Sequence, residues 1–183
     1  MFISLLNLGV IFLKLSTKNL TLIAVIASLY VALTFIFAKI SYGDVQFRVS
    51  EVLNVLTLFN AVPIYGVTLG CLISNLVGLF LGIEGSSIAD LFIGTLATFI
   101  AACLCYYIGK SKNKVLIYGF GMLPVVLING LFVGLELTFI NRIGESFILN
   151  FLLVSFGELV VCYGLGSFLI YALLKNNLYK KLF

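Results

Sequence analysis

The chain has 183 residues, of which 62% are apolar and 10% charged; a soluble globular domain needs far more polar surface, so this composition excludes one and makes the chain an integral membrane protein. Its net charge of +4 comes from lysines scattered at the ends of apolar runs and not striped along a face, which excludes a nucleic-acid surface. There is no histidine, and Cys71, Cys103, Cys105 and Cys162 lie inside apolar runs without Cys-x-x-Cys spacing. No common zinc set and no histidine-based catalytic set can be assembled, so we expect no metal, no cofactor and no enzyme.

Runs approaching the ~20 residues needed to cross ~30 Å of hydrocarbon recur along the whole length. Residues 1–18 read as an interfacial helix or an extension of the first span, because they lack the basic start and small-residue cleavage site of a signal peptide. The first span is expected at 20–38, followed by the polar stretch 41–51 and a short helix over 48–62. Pro63 suits the first turn of a third helix over 64–82, and Ser87, with Asp90 three residues on, is placed to cap a fourth running to 108. A basic loop holding Lys110, Lys112 and Lys114 leads to a fifth helix over 115–140 and a sixth over 146–174. The expected fold is therefore an all-α bundle of six transmembrane helices over 19–176, with 177–183 as a basic tail.

Alternate connections of such a bundle fall on one side, and the cytoplasmic side should be enriched in lysine and arginine. Lys14, Lys18, Lys110, Lys112, Lys114, Lys175, Lys180 and Lys181 fall on one side, Lys39, Arg48 and Arg142 on the other. Both termini are thus expected in the cytoplasm. The seven acids (Asp44, Glu51, Glu84, Asp90, Glu136, Glu145 and Glu158) fall in the outer half.

Polar chemistry concentrates in 41–51, where Asp44, Gln46, Arg48 and Glu51 stand between apolar runs. Either this is a surface loop whose Arg48 and Glu51 pair at i,i+3, or it is a lid over a ligand pocket. Ionisable groups within spans are functional candidates by default, because each costs a few kcal/mol to insert. Glu158 is the clearest, about a dozen residues into the sixth helix. Asn129, Val133 and Glu136 share one face of the fifth helix; Asn129 can serve a ligand or an interhelical hydrogen bond, and Glu136 a ligand or solvent. Asn54 and Asn75 read as bonds between helices. On the first helix Ala24, Ser28 and Ala32 form a small-residue stripe that permits close helix approach, within the bundle or with a partner. Gly109-Lys110-Ser111 is no phosphate-binding loop, since the leading glycine is replaced by Leu104, and Asn19-Leu20-Thr21 lies on the cytoplasmic side, where glycosylation does not occur.

The run Ser41-Tyr42-Gly43 with Gln46-Phe47-Arg48-Val49-Ser50-Glu51, then Gly66 to Gly70 with Asn75, Asp90 with Gly94-Thr95-Leu96-Ala97-Thr98, and Leu123-Pro124 to Asn129-Gly130 and Gly134-Leu135-Glu136, resembles the QueT family of queuosine-precursor transporters. The resemblance covers about 20–174. It implies the substrate-binding (S) subunit of an energy-coupling factor (ECF) importer in a bacterial cell membrane. Such a subunit captures 7-aminomethyl-7-deazaguanine or a close relative outside and delivers it inward with a transmembrane coupling subunit and two ATPase subunits. The Ala24, Ser28, Ala32 stripe then meets the coupling subunit. A guanine-like edge offers adjacent N–H donors that suit one carboxylate, and the aminomethyl cation calls for a second. Glu158 and Glu136 are the candidates in that order. Gln46 and Asn129 would read the remaining polar atoms, Tyr42 or Phe47 would stack on the base, and Asp90, Arg48 and Glu51 complete the expected site. The alternative is a self-sufficient secondary transporter for a small cationic or purine-like solute, with Glu158 as a proton relay.

Overall fold

The structure is a computed structural model that describes residues 16–41, 46–83, 86–140, 146–175 and 177–183. Tyr42, Asp44, Glu84, Arg142, Glu145 and nearly all of the expected N-terminal segment, including Lys14, lie outside these residues. The described elements are helical throughout: α1 (Thr17–Ile36), α2 (Ala38–Ser41), a 3-10 helix (Val49–Leu58), α3 (Val62–Phe80), α4 (Ile88–Gly109), α5 (Lys114–Phe120), α6 (Leu123–Phe139), α7 (Phe147–Leu159), a π turn (Val160–Leu165), α8 (Gly166–Lys175) and α9 (Leu178–Leu182).

Five stretches are long and apolar enough to cross a membrane: α1, α3, α4, α5 with α6, and α7 through α8. Local chemistry sets their ends. Ser16, Ser87, Asn113 and Ser146 cap α1, α4, α5 and α7 by accepting from backbone N–H groups of the first turn. Pro63 and Pro124 stand in the opening turns of α3 and α6, where a missing N–H is harmless. At the end of α3, Gly82 adopts a φ of 62°, and the N–H groups of Gly82 and Ile83 bond back to the carbonyls of Leu79 and Gly78.

Three expected elements differ, the sixth helix being interrupted by the π turn at Val160–Leu165. The fifth helix breaks at Gly121–Met122 into α5 and α6, because Pro124 cannot continue a ladder through that point and disfavours helical backbone just before it. The short second helix is 3-10, ten residues long, with every residue but Leu56 buried. Its sequence explains the choice. At three residues per turn, Arg48, Glu51, Asn54 and Thr57 stack on one polar edge, while Val49, Val52, Val55 and Leu58 stack on an apolar one. An α-helix would smear both edges. The 3-10 rise of ~2.0 Å per residue also stretches ten residues over about 20 Å, against about 15 Å in α form.

This 3-10 helix packs against α1, α3 and α4, and against the π turn and α8. Gly66 and Gly70 let α3 approach α1 closely: a Cβ on either would fall 2.7 Å from Ile26 Cβ or 2.5 Å from Tyr30 Cβ. Contacts also sort the bundle ends. At one end, the Gly109 Cβ position lies 2.1 Å from the Leu58 carbonyl oxygen, the Phe59 and Tyr179 rings are 5.1 Å apart, and Lys18 Nζ donates to a backbone oxygen of Phe183 at 3.3 Å. Lys18, Lys110, Lys112, Lys114, Lys175, Lys180 and Lys181 gather there, without an acidic residue among the described ones. The other end holds Gln46, Arg48, Ser87, Asp90 and Glu136.

Candidate functional site

Hydrocarbon offers no hydrogen bonds, so buried polar side chains must find one another. Near the lysine-poor end they form two linked groups around the 3-10 helix. In the first, Arg48 enters from that helix's start and is 2% exposed. Its Nη2 donates to Asn75 Oδ1 on α3 at 2.8 Å and to Asp90 Oδ2 on α4 at 3.2 Å. Asn75 Nδ2 in turn donates to the Asp90 backbone carbonyl at 2.9 Å. Gly94 makes room for this carboxylate, since a Cβ there would fall 2.2 Å from Asp90 Oδ1. The Ser87 hydroxyl, while capping α4, donates to Glu136 Oε1 at 2.7 Å and so extends the group to α6.

The second group centres on Glu51, which is fully buried. Its carboxylate accepts from the Tyr30 hydroxyl on α1, from Asn54 Nδ2 at 2.5 Å and from the Thr98 hydroxyl on α4 at 2.9 Å. Beside it Thr34 of α1 meets Ser50 Oγ at 2.8 Å. Cys71 Sγ joins the two groups, 3.8 Å from Arg48 Nη1 and 3.4 Å from Thr98 Oγ1.

Glu158 is placed differently. It is 1% exposed, and the contact it shows is with the Cys162 thiol at 3.9 Å. A thiol is a weak donor, so this carboxylate retains nearly all its accepting capacity. The residue before it, Gly157, seats the chain at Gln46, whose carbonyl oxygen would lie 2.2 Å from a Cβ there. The rings of Phe47 and Phe156 meet edge to face at 6.3 Å. The segment Gln46–Arg48 thus lies directly against α7 beside Glu158. The π turn begins two residues later; such turns within α-helices are frequent at functional sites.

On α6, Asn129, Val133 and Glu136 are all buried on one face. The solvent reading of Glu136 gives way to burial, at 2% exposure. Asn129 Nδ2 has no hydrogen-bond partner among the described residues. Of the other expected site residues, Gln46, Asp90, Arg48 and Glu51 are buried and Phe47 half-buried, while Tyr42 lies outside the described residues. Ala24, Ser28 and Ala32 are exposed along the outer face of α1, opposite buried Ile26, Ala27, Tyr30 and Thr34.

The model of the QueT transporter family matches residues 20–175. The chain belongs to the QueT transporter family. This is a family of transporters, in keeping with the expectation that the chain is not an enzyme. Over 89 residues the chain is 40% identical to the queuosine precursor transporter QueT of Lactococcus lactis subsp. cremoris (strain MG1363); the aligned stretch spans 48% of this chain and 48% of that relative, about half of each. No solved structure matches the chain. The matched region contains every residue of the polar groups described above.

Three members of those groups carry no mark of their own in the sequence. Tyr30 reads there as one more apolar residue of a span, and Cys71 as packing. Thr98 enters only through the family pattern. The period-three repeat of Arg48, Glu51, Asn54 and Thr57 is the sequence signal that points to the 3-10 helix and its polar edge.

Proposed function

We propose that the chain is the substrate-specificity subunit of an ATP-driven ECF importer and binds a queuosine precursor, 7-aminomethyl-7-deazaguanine or a close relative. In this reading the 3-10 helix completes a sixth crossing of an S-component bundle in a bacterial cell membrane, and the lysine-bearing end, with both termini, faces the cytoplasm. Family membership supports transport. The observation that carries the binding reading is Glu158, a buried carboxylate held, among the described residues, by nothing stronger than a thiol at 3.9 Å. An unpaired charge there is unfavourable, and two N–H donors of a guanine-like edge would satisfy it.

Glu136 takes the aminomethyl cation. The amides of Gln46 and Asn129, the latter with an unpartnered Nδ2, read the remaining carbonyl and ring nitrogens. Phe47 and Tyr42 supply the stacking face. Arg48, Asp90 and Glu51 form the frame behind the ligand, since each already has strong partners within the protein. Lipid-facing Ala24, Ser28 and Ala32 meet the transmembrane coupling subunit, and two ATPase subunits supply the energy.

Glu158→Gln tests the binding role. The amide keeps the shape and opposes ligand donors with its own NH₂. Charged hydrogen bonds contribute ~1.5–3 kcal/mol each, so affinity for the deazaguanine should fall at least about tenfold while the melting temperature of the ligand-free protein stays level or rises. Unchanged affinity by calorimetry removes Glu158 from the site. Accumulation of the compound in vesicles holding this chain alone, without ATP, replaces the importer reading with the secondary transporter.

A further inference from the structure

We propose that Asn54 is a specificity-determining residue of the ligand site, whose side-chain carbonyl accepts an N–H of the exocyclic 2-amino group of a guanine-like base, an assignment that rests on the binding role proposed for Glu158. By sequence Asn54 reads as a bond between helices, yet its Nδ2 donates within its own 3-10 helix, to Glu51 Oε2 at 2.5 Å and to the Glu51 carbonyl at 3.3 Å. Asn54 is fully buried, and its Oδ1 has no hydrogen-bond partner among the described residues. Turning the amide over does not cure this, because it would set Oδ1 against the Glu51 carboxylate. The hydroxyls of Tyr30 and Thr98 donate to Glu51, and that of Thr57 to the Asn54 backbone carbonyl at 2.7 Å. A leucine would fill the same space without a stranded acceptor, so packing alone does not account for the amide.

Three polar groups with unused capacity rim one apolar floor. Val55, Ala101, Cys105, Val125, Val126 and Cys162 pack together where the 3-10 helix, α4, α6 and the π turn meet. Asn54 directly precedes Val55, and Asn129 stands one turn beyond Val125 and Val126 on the buried face of α6. Glu158 stands one turn before Cys162, whose thiol it meets at 3.9 Å. Each is displaced from the floor toward the lysine-poor end, where the 3-10 helix and α7 begin and α6 finishes. The rim thus holds two acceptors, the Glu158 carboxylate and Asn54 Oδ1, and one donor, Asn129 Nδ2, which has no partner among the described residues. That pattern complements a guanine edge, which carries one N–H on the ring and two on the 2-amino group, beside a carbonyl oxygen. The two carboxylate oxygens take the ring N–H and the nearer amino hydrogen. Asn129 meets the carbonyl. The remaining amino hydrogen points past the carboxylate, and Asn54 Oδ1 is the acceptor for it; a hypoxanthine-like base, without the amino group, would leave that oxygen stranded.

The test is calorimetry on the full chain in detergent micelles with two probes, 7-aminomethyl-7-deazaguanine and its analogue lacking the 2-amino group, applied to the parent and to N54L. The parent should bind the 2-amino compound more tightly. N54L should weaken that compound at least about fivefold, the effect of leaving one buried N–H without an acceptor, and leave the affinity of the 2-deamino analogue unchanged. Equal weakening of both compounds would mean that Asn54 only orders Glu51, and no change in either would mean that the amino group faces elsewhere. Both results overturn the assignment while the binding role of Glu158 stands, and so does equal affinity of the parent for the two probes. A parent that binds neither probe overturns the binding role itself, and the assignment with it. If N54L shows no melting transition and so does not fold, N54A is read against the same outcomes.

Discussion

Replacing Glu51 with leucine removes the acceptor on which Tyr30, Asn54 and Thr98 converge, and the three donors do not suffer equally. Thr98 can turn its hydroxyl to Cys71 Sγ at 3.4 Å, and Asn54 keeps the backbone carbonyl of residue 51 at 3.3 Å. Tyr30, fully buried, is stranded outright. A buried donor without an acceptor costs ~1–3 kcal/mol. Counting Tyr30 in full and each of the others at roughly half gives a loss of about 2–6 kcal/mol. The double variant Y30F/E51L removes donor and acceptor together and should recover ~1–3 kcal/mol, because replacing both partners with apolar groups is close to neutral. Reversible unfolding in detergent micelles, read by circular dichroism, measures all four corners of the cycle. If E51L is as stable as the parent, or Y30F/E51L no more stable than E51L, then Glu51 is not the acceptor that holds α1 to the 3-10 helix.

Ser28→Leu, on the exposed face of α1, should leave deazaguanine binding by the solitary chain intact and abolish co-purification with the coupling subunit, since a bulky side chain blocks close helix approach. Gly109→Ala should destabilise by about 1–3 kcal/mol, because its Cβ would fall 2.1 Å from a backbone oxygen that cannot step aside, whereas Gly119→Ala, with nothing within 4 Å, should be neutral or stabilising; paired melting curves distinguish them. Ser87→Ala takes away both the α4 cap and the partner of Glu136 Oε1, so the ligand-free melting temperature should drop by the equivalent of about 1–3 kcal/mol. A drop no larger than that of an exposed cap such as Ser146→Ala would mean that the Glu136 contact contributes nothing.

Membrane class, the order of apolar runs and most helix ends follow from the sequence by itself. They depend on properties that act within a few residues: mean apolarity over a span, a serine placed to cap, a proline in a first turn, lysines at helix ends. The carboxylates and amides that end up buried were legible for a related reason, since a charge inside a span is costly wherever the span packs. Partnership is different. Arg48 and Glu51, offered to each other by their i,i+3 spacing, draw partners from helices 42 and 47 residues away, Asp90 and Thr98, and Tyr30 reaches Glu51 across 21 residues of sequence. A buried donor must be satisfied, but any acceptor on any neighbouring helix will do, so only the packing of α1, α3 and α4 around the 3-10 helix decides which one. The same packing decides that Ala24, Ser28 and Ala32 face outward and Tyr30 inward, because α1 is apolar on every side and its own sequence has no polar face to set its rotation.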